Sequence, residues 1–141
     1  MEPFSPALTI TLGATILTVI AIAFGGTFML RVVTGKQGAN DLQKTFFRAG
    51  HAHAGVIVTL GLVIALVTHV ADVSSRWSSL SAGSVLIAAI FIPAGFFLSV
   101  IGHEPQRPNR LAKLIWVGAA TLAVGLGLAG VTTIAAGVDR L

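Results

Sequence analysis

The chain of 141 residues has no cysteine and very little charge: Lys, Arg, Asp and Glu together make up 10% of it. Without cysteine there is no disulfide framework, no thiolate metal centre and no cysteine nucleophile. The shortage of charge excludes more. A soluble domain carries about 25% charged residues, so this composition cannot furnish a water-facing shell. A Ser/His/Asp set, a phosphate-binding loop and paired carboxylates within the apolar segments are all missing. Gly125, Gly127 and Gly130 copy the letters of a dinucleotide fingerprint, but the strand and exposed helix start that such a fingerprint needs are not there. The net charge is +4. Its basic residues adjoin apolar runs instead of lining one exposed helix with interleaved aromatics, which argues against nucleic acid as a partner. The opening Met1-Glu2-Pro3-Phe4-Ser5-Pro6 also lacks the basic start of a signal peptide, so the first apolar run is expected to stay in the mature protein.

What is present is a very uneven distribution of the charges. Residues 7–30, 49–71, 80–101 and 114–138 contain none, and all 14 fall in the remaining 47 positions. At ~1.5 Å rise per residue, spans of this length reach roughly 33 to 38 Å, enough to cross a hydrocarbon core of ~30 Å. Their all-round apolarity leaves no polar stripe to face water. The reading is all-α: an integral membrane four-helix up-down bundle forming a single membrane domain over residues 1–141.

The connections set an orientation. Arg31, Lys36, Lys44, Arg48, Arg107, Arg110 and Lys113 flank one end of the spans, against Arg76 and Arg140 at the other. Seven against two places both basic loops in the cytoplasm and both termini outside, in a bacterial cytoplasmic membrane. Asn40-Asp41 is a candidate helix cap, from which a helix would run through Phe46 and Phe47 into the second span. A shift of 69 residues aligns Gly26 with Gly95, Phe28 with Phe97, Leu42 with Leu111, Lys44 with Lys113 and Gly61 with Gly130, the mark expected of a duplicated helical hairpin.

Histidine supplies the candidate chemistry. His51 and His53 lie just inside the second span, and His103-Glu104 follows the third on the same membrane side. Ionisable groups within a membrane are costly and usually have a partner or a task. Three imidazoles and a carboxylate form a donor set suited to a transition metal (zinc, copper or iron) or to haem. Positions i and i+2 of a helix lie about 200° apart, so His51 and His53 are expected to face different targets. Proton handling, or plain hydrogen bonding to backbone and lipid phosphate, are the competing readings. His69 and Asp72, at i and i+3, read as a surface ion pair or cap. Pro93 withdraws the donor that would serve Ala89 and predicts a kink or a polar lining. Glu104, Arg107 and Arg110 read as a solvated charge cluster, and Arg107, Arg110 and Lys113 as a lipid-headgroup site.

The stretch Phe47-Arg48-Ala49-Gly50-His51-Ala52-His53-Ala54-Gly55, with Pro93 to Ser99 and Arg107-Pro108-Asn109-Arg110, resembles a group of small bacterial four-span membrane proteins. The resemblance runs from Phe46 to Val138 and implies a shared fold without an activity. A thinner similarity links the His51/His53 helix to the haem-holding helix of haem-copper oxidases and their relatives. It covers one helix and implies haem as a candidate ligand.

The expectation from sequence is a non-catalytic subunit of a homo-oligomer or of a larger membrane complex, in contact with the lipid bilayer and with other membrane subunits or copies of itself. Abundant small residues in the spans and minimal loops motivate it. The alternatives are a metal- or haem-handling protein using His51, His53, His103 and Glu104, and an oligomeric proton or ion channel lined by His51, Thr59 and His69.

Overall fold

The computed structural model describes residues 4–141. Met1, Glu2 and Pro3, on which the expectation of a retained first span partly rests, lie outside the described residues. Four helices follow one another, α1 (Pro6–Val33), α2 (Asp41–Val70), α3 (Ser75–Ser99) and α4 (Lys113–Val138), with a short 3-10 turn at Arg110–Ala112 before the last. All four are long and apolar enough to cross a membrane. The molecule is an all-α four-helix up-down bundle, and a multi-pass membrane protein.

Local sequence explains where the helices begin. The Ser5 hydroxyl accepts from the Leu8 amide at 3.3 Å and Pro6 takes the first helical position, where its missing N–H costs nothing. Asn40 caps α2 as expected, and it does so reciprocally. Its side chain accepts from the Gln43 amide at 2.9 Å while the Gln43 side chain accepts from the Asn40 amide at 3.1 Å. The second helix therefore starts eight residues before the charge-free stretch does, and α3 runs unbroken through the buried Pro93.

The ends of the bundle are tied by polar contacts between elements. At the end bearing the two basic loops, Gln43 Nε2 donates to the carbonyls of Val100 and Gly102, both at 3.1 Å, and Asn40 Nδ2 donates to that of Pro105 at 2.8 Å. Asn109 joins α3 to α4. Its amide and side-chain nitrogens donate to the Ser99 and Leu98 carbonyls, and its side-chain oxygen accepts from the Leu111 amide. At the other end the Thr68 and Ser78 hydroxyls share a buried hydrogen bond of 2.6 Å. There Arg140 donates to the Ala71 carbonyl and stands 3.9 Å from the Asp72 carboxylate.

Packing between the helices is unequal. The core is built from Ile57, Ile64 and Ala65 of α2, Ala82, Val85, Ala88 and Ile92 of α3, and Ala129 of α4, so α3 is the middle helix. Glycine sets the approach. A Cβ added to Gly118 would stand 2.5 Å from Ile92 Cγ1 and 2.9 Å from the Ile92 backbone nitrogen, and one on Gly95 would stand 2.7 Å from the Ile115 nitrogen. Backbones this close leave no room for a methyl group. Helix α1 is the exception, because its buried residues Leu8, Met29 and Val32 stand outside this core and none of its glycines meets the backbone of another helix.

Candidate functional site

Helix α1 is fastened to α2 near its two ends and stands away between them. Phe4 lies on the His69 ring with centroids 4.0 Å apart, and Phe28 meets Phe47 edge-on at 5.4 Å. Between these contacts the walls of α1 and α3 and the floor of α2 enclose a lateral cleft of about 820 Å³. Ile10, Thr15, Thr18, Leu86 and Ile90 line much of it, and His51, Gly25 and Phe97 close the end nearest the basic loops. The Thr15 and Thr18 hydroxyls donate to carbonyls of their own helix. A smaller cleft of about 470 Å³ flanks His51 on its other side, against Ile22, Val56 and Thr59.

His51 is half-buried, and its imidazole lies against the bare backbone of α1: an added Cβ on Gly25 or Gly26 would be 3.6 Å from a ring nitrogen. Among the described residues neither ring nitrogen has a hydrogen-bond partner within the protein. His53 turns elsewhere, as the two-residue offset requires. It is exposed, its Nδ1 donates to the Ala49 carbonyl at 2.7 Å, and its ring stacks on Phe96 at 5.2 Å. A carbonyl can only accept, so this bond puts the proton on Nδ1 and leaves Nε2 free.

The expected four-residue ligand set is not gathered. Among the described residues no three of the His, Cys, Asp and Glu side chains come together around a point that would hold a metal ion. Geometry gives the reason. Gly102, adjacent to His103, is bound at Gln43, and His51 lies eight residues further along α2, about 12 Å by helix rise. His103 and Glu104 are exposed in the loop, where Glu104 adopts φ +45°. Sharing one end of the bundle does not place these groups at one depth.

Other expected pairs are also rearranged. The His69 and Asp72 side chains do not pair, since Phe4 lies on the His69 ring and the Asp72 carboxylate faces Arg140, but the Asp72 amide donates to the His69 carbonyl at 3.0 Å in the cap of α2. Glu104, Arg107 and Arg110 are all exposed, as a solvated set would be, and Glu104 makes no ion pair among the described residues. Arg107, Arg110 and Lys113 are exposed beside the α3–α4 connection. Thr59, placed by sequence with His51 and His69 along a conduction path, donates to the Gly55 carbonyl and lines the smaller cleft.

Two features escaped the sequence. One is the cleft itself. The other is a second face of small residues on α4, where Ala120, Ala123, Gly127, Gly130 and Gly137 are all exposed and nothing lies within 4 Å of a Cβ built on any of those three glycines. Intervals of 3, 4, 3 and 7 residues are the signal that would have found it, because they follow the heptad spacing of a helix seam whose one large member is the exposed Ile134. No family model, curated protein or solved structure matches the chain.

Proposed function

We propose that this protein is a non-catalytic subunit of a membrane assembly in the bacterial cytoplasmic membrane, with a second copy of the chain seated on the outer face of α4. The basic loops lie on the cytoplasmic side and both termini outside, as the seven-to-two division of cations favours. The observation that carries the reading is the outward stripe Ala120, Ala123, Gly127, Gly130 and Gly137. Lipid chains solvate large apolar side chains as well as another helix does, so small residues gain nothing by facing lipid. They gain much by facing a helix, whose backbone they let come close.

The same helix supplies the precedent, because Gly118 and Gly125 on its inner face bring α3 into backbone contact. The outer stripe extends over 18 residues, about 26 Å by helix rise from first to last, most of a hydrocarbon core. A two-fold axis along the membrane normal pairs such a stripe with its own copy in parallel. Connections of 4 to 13 residues add no soluble domain between the helices, which fits a part whose work is done within the bilayer. A larger complex built on the same face is the other outcome that the test separates.

The test is the mass of the detergent-solubilised protein by light scattering. Wild type is expected at a multiple of the chain mass, and Gly130→Leu as a monomer with unchanged helical circular dichroism. A monomeric wild type that also crosslinks to nothing in native membranes overturns the reading.

A further inference from the structure

We infer that the cleft between α1, α2 and α3 is a binding site for a neutral, single-tailed membrane amphiphile with a flat oxygen-bearing ring, of the quinone or quinol class. The site is independent of the α4 face. Four observations specify the occupant. The cleft has a polar end and an apolar length: His51 marks one end, and the lining then runs to Ile10, 15 residues from Gly25 on α1 and so about 22 Å away by helix rise. A head with one extended tail matches that gradient.

The lining contains no Lys, Arg, Asp or Glu. A carboxylate or phosphate head would bring an uncompensated charge into an apolar site, which is costly, so the head is neutral. His51 is the group that reads it. Its imidazole has no partner within the described protein, and in its neutral form it offers one N–H and one lone pair, suited to a ring carbonyl or a ring hydroxyl. Flatness is set by the surroundings. Phe28, Phe47 and Phe97 form a run of rings, with Phe47 and Phe97 stacked at 5.6 Å and 22°, and Phe97 lines the cleft. A planar head adds one more ring to that run.

The experiment is calorimetric titration of the full chain in nanodiscs of saturated phosphatidylcholine with decylubiquinone, decylbenzene and palmitate as probes. Saturable binding of one decylubiquinone per chain is expected, at least tenfold tighter than either of the others. His51→Phe should weaken it about fivefold or more, and His51→Gln, which restores a donor, should recover most of that loss. Gly83→Phe and Ala14→Phe fill the cleft from opposite walls and should abolish binding. Equal helical content and thermal midpoint across the variants keep folding separate from binding. Decylbenzene binding as well as decylubiquinone would reduce the cleft to a slot for acyl chains. Stronger palmitate binding, or wild-type affinity in His51→Phe and both blocking variants, would likewise overturn the assignment.

Discussion

The hairpins α1–α2 and α3–α4 are built from similarly apolar helices, a 69-residue shift aligns Gly26 with Gly95 and Gly61 with Gly130, and yet they pack in opposite ways. Gly95 of the second hairpin receives the Ile115 backbone in direct contact, while its counterpart Gly26 meets only the edge of the His51 ring. One hairpin is closed along its length by backbone approach. The other is pinned near its ends by aromatic rings and leaves a cleft of about 820 Å³. In a bilayer, apolarity does not draw helices together, because lipid is as apolar as they are. Shape decides, and a small residue matters only where something comes to fill the space it leaves.

Substitutions that exchange the two conditions test this contrast, and the largest effect is expected in the closed hairpin. Gly118→Leu places a side chain where even a Cβ would be 2.9 Å from the Ile92 backbone nitrogen. It should cost about 3 kcal/mol or more by overpacking, read as loss of the folded state in an SDS-titrated unfolding curve. Next comes the junction between the hairpins. Gln43→Ala removes two hydrogen bonds to the α3–α4 connection and half of the α2 capping box. About 2 kcal/mol is expected, since the carbonyls of Val100 and Gly102 lose their donor.

A smaller effect belongs to the open hairpin. Phe47→Ala deletes the ring that Phe28 of α1 rests on and should cost about 1 kcal/mol. The loss should register as faster amide exchange in α1, with α4 unchanged and a smaller change near Phe97 of α3, on which Phe47 also stacks. Smallest is Gly26→Ala, whose Cβ would meet His51 Nε2 at an ordinary 3.6 Å. Its effect should stay within about 0.5 kcal/mol. A large loss from Gly26→Ala, or tolerance of Gly118→Leu, would erase the distinction between the hairpins.

Much of the fold was legible because charge has so few places to go in this chain. The charge-free runs located the helices, and Asn40-Asp41 marked the start of α2 correctly. The loose packing of α1 was not legible. Helix α1 and helix α3 carry the same kind of residues, and no polar stripe separates a lipid-facing side from a core-facing one. Gln43 and Asn109 escaped notice because their partners, the carbonyls at the end of α3 and in the connection beyond it, are distant in sequence or invisible to side-chain patterns.

At the candidate site, the divergence of His51 and His53 followed from helix geometry alone. Convergence of His103 and Glu104 with them did not occur, since membrane side is a coarser coordinate than depth. The unpartnered ring of His51 depends on where α1 lies, and only tertiary structure could reveal it.

The α4 face admits the most direct test of the functional account, because the chain has no cysteine of its own. Single variants Gly130→Cys and Val56→Cys, both at exposed positions of membrane-spanning helices, are oxidised in native membranes and resolved by mass. The account predicts a disulfide-linked species of twice the chain mass from Gly130→Cys and only monomer from Val56→Cys. Monomer from both variants, or equal crosslinking from both, would contradict it.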